Sequence, residues 1–253
     1  MVDIIIIGIN SSLGQSVYKC ANEQKITVLS GVDNSSVFGE FICPVYNSID
    51  QVRDDADVIV CFDKSALYSV IPYAIKNKCP LVLGDTVLNE EYMQLVLDSS
   101  RKIPIFLSTN FSIAVNLIAE FATTTAKQFD FYDVEIIDMQ SSNKVDAPSG
   151  TAKLLADTIQ EARGSKDKII NGRKGQGVRN NNEIAIHSVR GGNIIGSHKI
   201  LFIGPDETIA FEHVAGSRDL YAKGVLKACE YIYKKPNGLY TMKDYLKDKI
   251  KNS

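Results

Sequence analysis

DIIIIGINSSLG, residues 3–14, joins a run of four isoleucines to a glycine turn and then to the start of a helical pattern. A continuous β-branched run of this kind predicts a parallel strand that is covered on both faces. Gly8 and Gly14 stand where a dinucleotide-binding unit brings its backbone close to a pyrophosphate, which the free amides of the next helix would bind. The centre of the turn, Asn10–Ser12, departs from the usual spaced glycines. On this segment alone, a plain strand-to-helix turn is therefore an equal alternative.

The rest of the first half alternates strand-like with helix-like segments. Strands are predicted at residues 26–32, 56–62, 80–84 and 103–107, and helices at 13–22, 67–78 and 89–99. Strands that alternate with helices imply right-handed crossovers, so the first half predicts an open parallel sheet of the Rossmann type.

The pattern changes after about residue 111. The Gly-, Lys-, Arg- and Asn-rich stretch 164–182 predicts a mobile loop. Gly-Gly-Asn and Gly-Pro-Asp-Glu turns link the last three predicted strands, which predicts antiparallel neighbours. The fold class is therefore an α/β Rossmann-type parallel-sheet domain plus an α+β domain with a mostly antiparallel (mixed) sheet. The predicted strands here are 132–139, 184–190, 194–203 and 208–214, and the helices are 113–128, 152–162, 221–233 and 242–249.

Composition excludes several classes of protein. The net charge of -2 leaves no basic excess for nucleic acid or an anionic membrane. The apolar start is short and lacks a basic leader and a cleavage site, so we expect no secretion. Five scattered cysteines without a C-x-x-C pair indicate free thiols in a reducing cytoplasm, and three histidines without ligand spacing argue against a zinc site.

Asp33 ends the second predicted strand, roughly 20 residues beyond the glycine turn, where Rossmann units place an acid on the adenosine ribose. A carboxylate there accepts hydrogen bonds from the ribose hydroxyls and repels a 2′-phosphate. No lysine or arginine is adjacent, so Asp33 predicts NADH rather than NADPH. An ordinary acid at the start of a loop is the alternative.

KVDAPSGTA, residues 144–152, is the most informative segment of the chain. Pro148 ends an extended run, and Ser149–Thr151 stand where the next helix should begin, with free amides pointing outward. Lys144 can bring a cation to the same place, and a helix N-terminus with a nearby ammonium suits a carboxylate. From physical chemistry alone, a helix cap with a surface lysine is the simpler interpretation.

The same segment resembles the signature of the dihydrodipicolinate reductases, also named 4-hydroxy-tetrahydrodipicolinate reductases. STNFSIAVN (108–116), VRGGNIIGSH (189–198) and the stretch around Gly216–Arg218 are similar to further family motifs in the same order. The resemblance spans nearly the whole chain. It implies a cytoplasmic NAD(P)H-dependent reductase of lysine and diaminopimelate biosynthesis that acts on a small dicarboxylate.

The resemblance also implies an assignment of domains and site residues. Residues 1–111 and 219–253 would form the dinucleotide-binding domain, and 112–218 the substrate-binding domain, whose sheet makes a homotetramer. Substrate would be bound by Lys144, Ser149, Gly150, Thr151 and Arg218. The cofactor would be bound by Gly8, Ser11, Ser12, Leu13, Gly14, Asp33, Phe62, Gly84, Asp85, Thr86, Ser108, Thr109, Asn110 and Phe111.

The chain departs from the family at one chemically important place. The family's proposed general acid is the first of several histidines before the lysine, and Gln140 stands there. A glutamine amide forms hydrogen bonds but cannot deliver a proton near neutral pH. Three hypotheses stay open: a working reductase whose proton comes from water or from Lys144, a reductase of another small carboxylate, or a non-catalytic binder of nucleotide or dicarboxylate.

Overall fold

The structure is a computed structural model that describes residues 2–35, 39–84 and 89–251. Contacts between residues divide the chain into two compact units. Residues 1–113 and 218–253 form the first unit, and residues 114–217 form the second. These limits lie within two residues of the domain boundaries expected from the resemblance.

The first unit is built on a parallel sheet of seven strands within the described residues. Their order is β12-β6-β5-β4-β1-β2-β3. All six pairings are parallel, which confirms the Rossmann-type sheet expected from the alternating pattern. The strands are β1 (Ile4–Ile7), β2 (Val28–Val32), β3 (Val45–Tyr46), β4 (Val58–Cys61), β5 (Leu81–Leu83), β6 (Pro104–Leu107) and β12 (Gly238–Tyr240).

Helices cover both faces of this sheet, as the continuous isoleucine run requires. Ile5 and Ile7 lie in a buried cluster with residues of α2 and α3, while α1 and α6 contact the strands as well. The helices of this unit are α1 (Ser12–Glu23), α2 (Leu67–Asn77), α3 (Glu90–Ser100), α6 (Asp219–Ile232) and α7 (Met242–Lys251).

The second unit carries a mixed five-stranded sheet of order β11-β10-β7-β9-β8. Two pairings are antiparallel and two are parallel. Two helices, α4 (Ile113–Gln128) and α5 (Gly150–Ala162), pack small and aliphatic side chains such as Ala122 and Leu155 against one face of the sheet. The strands are β7 (Asp133–Gln140), β8 (Lys168–Asn171), β9 (Glu183–Arg190), β10 (Ser197–Ile203) and β11 (Thr208–Val214).

Two expectations for this unit were wrong in detail. The Gly-Gly-Asn turn does not join neighbouring strands, because β7 lies between β9 and β10 and pairs with both. The six-residue connection 191–196 is long enough to pass the end of β7, which a two-residue hairpin turn is not. The predicted loop 164–182 also contains a strand, since Lys168–Asn171 pairs with β9.

Candidate active site

The glycine turn of the first unit is closed by its own backbone and by Ser11. Gly8 has a positive φ of 78°, a conformation that favours glycine. Ser11 caps α1: its Oγ accepts a hydrogen bond from the Gly14 amide at 3.0 Å and donates to the Gly8 carbonyl at 2.7 Å. A Cβ on Gly14 would lie 2.3 Å from the Gly8 oxygen. Glycine is therefore required there, and the turn has the close backbone packing that a pyrophosphate cradle needs.

Ser12 and Leu13 form the first turn of α1. Ser11 and Ser12 are exposed and Leu13 is half-buried. The exposed serines leave this helix N-terminus open to solvent, which is where an anion is stabilised by the helix dipole.

Asp33 is anchored at the end of β2 by backbone amides. Its Oδ2 accepts from the Asn10 amide at 3.0 Å, and its Oδ1 accepts from the Ser35 amide at 2.9 Å. Burial alone would raise the pKa of Asp33, but these hydrogen bonds outweigh it and hold the pKa below its usual value. Asp33 therefore carries its charge at neutral pH. It lines a cavity of about 210 Å³ together with Asp63, and no lysine or arginine is among the described lining residues.

Aromatic side chains and glycines meet at the carboxyl ends of β4 and β5. A Cβ on Gly84 would lie 2.9 Å from the Phe62 ring and 3.0 Å from the Phe111 ring. Ser108 and Asn110 are buried beyond β6, where Ser108 Oγ donates to the Asn110 carbonyl at 2.8 Å. Thr109 between them is exposed, whereas Asp85 and Thr86 lie outside the described residues.

The N-terminus of α5 in the second unit is anchored by hydrogen bonds to Asp138, while its first helical residue is exposed to solvent. Ser149 is the N-cap: its amide donates to Asp138 Oδ2 at 2.9 Å, and its Oγ donates to Asp138 Oδ1 at 2.8 Å. The same Oγ accepts from the Ala152 amide at 3.2 Å. The amide and the hydroxyl of Ser149 are therefore both hydrogen-bonded within the protein, and they fix the orientation of the turn. Gly150, the next residue, is exposed, and a Cβ built on it would meet nothing within 4 Å.

Asp138 is a fully buried carboxylate that organises this turn. Arg190 pairs with it at 2.9 Å and also donates to the Asp146 carbonyl at 2.8 Å, so one guanidinium joins β7 to the loop before α5. Burial would raise the pKa of Asp138, but hydrogen bonds from His198, Ser149 and Arg190 hold it well below the usual range. The carboxylate stays ionised and fixes the helix N-terminus in place.

The remaining predicted substrate residues take different positions. The Lys144 ammonium lies on the loop before α5 and pairs with Asp146 at 2.7 Å. Thr151 follows Gly150 in the first turn of α5. Arg218 is exposed and belongs to the first unit, as the residue that precedes α6.

Gln140, the residue at the family's acid position, ends β7. Its amide nitrogen lies 3.4 Å from His198 Nε2 and 3.5 Å from Asp138 Oδ1.

Comparison with known proteins decides the family. The sequence matches the family models described as "Dihydrodipicolinate reductase, N-terminus" over residues 2–111 and "Dihydrodipicolinate reductase, C-terminus" over residues 114–246. The chain belongs to the dihydrodipicolinate reductase family. Its members include the 4-hydroxy-tetrahydrodipicolinate reductase of Caldanaerobacter subterraneus subsp. tengcongensis, which is 38% identical over 98% of this chain and 99% of the relative.

Other dihydrodipicolinate reductases agree. The 4-hydroxy-tetrahydrodipicolinate reductase of Clostridium tetani is 40% identical over 96% of both chains. A solved structure, the dipicolinate-bound dihydrodipicolinate reductase from Paenisporosarcina sp. TG-14, superposes with a TM-score of 0.80 at 24% identity and covers 95% of this chain and 97% of that one. The superposition supports the parallel sheet and mixed sheet of the fold.

Sequence reasoning missed Asp138 and Arg190 and gave His198 no role. A signal for Asp138 was present, because it follows the buried Val134 and Ile136 at alternate positions of β7 and is polar on the apolar side of the strand. An acid at such a position needs a buried partner. The identity of that partner depends on strand order, which the sequence did not reveal.

No helix among the described residues is long and apolar enough to cross a membrane. In the same part of the chain, no three histidine, cysteine or acidic side chains converge in a way that would hold a metal ion.

Proposed function

We propose that this chain reduces 4-hydroxy-tetrahydrodipicolinate to tetrahydrodipicolinate with a nicotinamide cofactor, as a step of lysine and diaminopimelate biosynthesis. The observation that carries the proposal is the open N-terminus of α5. Its cap is fixed by a buried carboxylate while Gly150 is exposed, in a chain whose relatives are named for this reaction. A dipicolinate-bound relative supports a small dicarboxylate as the ligand.

The substrate carboxylate would lie against the first turn of α5. There, the amides of Gly150 and Thr151 and the helix dipole favour an anion. Lys144 would supply the positive charge, and its ion pair with Asp146 supports this binding role over that of the proton donor. Ser149 would orient the first turn of α5 rather than bind the substrate, because its amide and hydroxyl hydrogens are both donated to Asp138. Arg218, in the first unit, is proposed as a substrate residue on the sequence resemblance alone.

The cofactor would bind the first unit, where the tight turn from Gly8 to Gly14 leaves no room for a Cβ at Gly14 and leads into the exposed N-terminus of α1. Bound NAD(P)H would supply the hydride. Phe62, Gly84 and Phe111 would form the floor on the nicotinamide side, with Ser108, Thr109 and Asn110 beside them. Asp85 and Thr86, outside the described residues, belong to this proposal on sequence alone.

We propose a preference for NADH. Asp33 is charged at the end of β2, and Asp63 lines the same cavity without a described lysine or arginine. A 2′-phosphate there would meet like charge, whereas the ribose hydroxyls of NADH would meet acceptors.

The first unit would be the nucleotide domain and the second the substrate and oligomerisation domain of a cytoplasmic homotetramer. Exposed apolar side chains on the second unit's sheet support the assembly: Val189 is 45% exposed and Val214 is 67% exposed.

Initial rates with freshly prepared 4-hydroxy-tetrahydrodipicolinate test the proposal, followed by nicotinamide absorbance with NADH and then NADPH. We expect turnover with both and higher kcat/KM with NADH. Asp33→Ala should improve NADPH relative to NADH by roughly tenfold, because one repulsive charge is removed. Nucleotide binding without turnover would leave only a binding function, and faster turnover with NADPH would contradict the role of Asp33.

A further inference from the structure

His198 is a buried imidazole in contact with the proposed carboxylate site. It is 2% exposed, and its Nε2 lies 3.3 Å from Ser149 Oγ, 3.4 Å from Gln140 Nε2 and 3.4 Å from Asp138 Oδ1. Its Nδ1 is buried and has no hydrogen-bond partner among the described residues. A buried polar atom without a partner is uncommon and calls for an explanation.

The register of the mixed sheet places His198 in a polar row. Ser188, Asp138, His198 and His213 pair directly across β9, β7, β10 and β11. The His198 and His213 rings are nearly parallel, with centroids 6.2 Å apart. Burial, followed by the neighbouring His198, lowers the pKa of His213. His213 is therefore protonated less readily than an ordinary histidine.

The charged groups that hold the N-terminus of α5 and the loop before it form two ion pairs. Asp138 on β7 pairs with Arg190 on β9, and Asp146 on the loop before α5 pairs with Lys144. The N-cap Ser149, the Gln140 amide and Ser188 complete the surroundings without adding charge. A dicarboxylate at the α5 N-terminus would add two negative charges, and a proton on the adjacent imidazole would partly compensate them.

We propose that His198 takes up a proton when a dicarboxylate binds at the N-terminus of α5, and that this proton replaces the one that Gln140 cannot deliver. The inference rests on the proposed function. Reductive removal of the hydroxyl of 4-hydroxy-tetrahydrodipicolinate consumes one hydride from NAD(P)H and one proton, and releases one water. Histidine is the side chain whose charge ordinarily changes between pH 5 and 8. His198 contacts both the cap of the site and the side chain at the family's acid position.

Isothermal titration of the full chain with pyridine-2,6-dicarboxylate, in buffers of different ionisation enthalpy near neutral pH, measures the proton uptake. We expect uptake of up to about one proton for each ligand bound. The uptake should be lost in His198→Gln and kept in His187→Gln. His187 is the matched control, because it lies on β9 one position outside the polar row. Its ring contacts the side chain of Glu135 rather than a residue of the polar row.

Kinetics and NMR provide independent readouts. The kcat of His198→Gln should fall about 100-fold, the usual scale of lost acid catalysis, while KM for NADH is unchanged. The kcat of the wild type should decrease as pH rises, and this decrease should be absent in the variant.

Nitrogen NMR of the wild-type protein avoids any folding defect of the variant. The chain has three histidines, so their ring signals can be assigned by single substitutions. His198 should change from the neutral to the charged pattern on adding the dicarboxylate.

The outcomes are separable. Binding without proton uptake, uptake that persists in His198→Gln, or an unchanged His198 ring signal would each overturn the inference while leaving the proposed function intact. Failure of the wild-type chain to bind pyridine-2,6-dicarboxylate at all would overturn the proposed function and this inference together.

Discussion

At the scale of single residues, the second unit depends on one carboxylate. Asp138 accepts hydrogen bonds from the Ser149 amide and hydroxyl and from Arg190. Its side chain is fully buried and that of Arg190 is 17% exposed, so water screens the pair little. Removing one partner of such a pair leaves an uncompensated charge, which costs more than the intact pair contributes.

Asp138→Asn should therefore lower the free energy of unfolding by about 3 kcal/mol and weaken binding of pyridine-2,6-dicarboxylate more than binding of NADH. Asp133→Asn is a matched control on the same strand. Asp133 also pairs with an arginine, Arg179, but its side chain is 45% exposed, so the loss should stay within about 1 kcal/mol. Denaturant unfolding and calorimetric titration measure both effects. Equal losses for the two variants would contradict a special role for Asp138.

The buried Asp138–Arg190 pair also predicts how the stability of the chain depends on pH. The pKa of Asp138 is lowered in the folded chain from the ordinary value of 3.8, so its contribution is complete above that value and is lost as pH falls through the lower folded pKa. The difference in melting temperature between the wild type and Asp138→Asn should be constant from neutral pH down to about 4 and narrow below it. A difference that instead disappears on raising the pH above neutrality would show that another group is responsible.

The local structure of the candidate site was predictable where a short motif specified it. Ser149 and Gly150 follow Pro148 in a pattern whose helix cap is readable from the sequence, and the structure begins α5 at Gly150. Asp138 and His198 lie 60 residues apart and meet only through strand pairing, which local pattern does not encode. The substitution of Gln140 was visible, but its contact with His198 was not.

At the scale of elements, the turn between β1 and α1 is the most constrained feature of the first unit. A Cβ at Gly14 would lie 2.3 Å from the Gly8 carbonyl and 2.8 Å from that of Ile9. Neither oxygen can move without shifting the end of β1, which is fully buried.

Gly14→Ala should therefore destabilise the first unit by about 1–3 kcal/mol and raise the Kd for NADH, since the turn must widen. Ser16→Ala, on the same helix and only half-buried, should leave both quantities nearly unchanged. Thermal unfolding and fluorescence titration with NADH measure the two effects. Normal NADH affinity in Gly14→Ala would exclude this turn as the nucleotide cradle.

Elements with a clear apolar pattern of their own were predicted better than elements without one. The apolar strands and the amphipathic helices carry their own pattern, so β1, β4 and α4 were expected close to their observed positions. The strands β3, β8 and β12 have two to four residues and form because a neighbouring strand offers free backbone groups, as β9 does for Lys168–Asn171. Tertiary pairing, rather than local propensity, decides such elements.

At the scale of the whole molecule, the order of strands explains the expectation that was wrong. A turn signal reveals that the chain reverses, but it does not say whether the reversed strand lies beside its predecessor. Here β7 occupies the place between β9 and β10, and this insertion brings Asp138 beside both Ser188 and His198. The polar row of the second unit is therefore a product of topology.

We propose that this chain transfers a hydride to its substrate although glutamine replaces the family's acid. NADH carrying deuterium at both C4 positions, incubated with 4-hydroxy-tetrahydrodipicolinate and the wild-type chain, tests it directly by mass spectrometry of the product. We predict tetrahydrodipicolinate that carries one deuterium, formed at similar rates by the wild type and by Gln140→Ala. Product without deuterium, or no oxidation of NADH at all, would contradict hydride transfer by this chain.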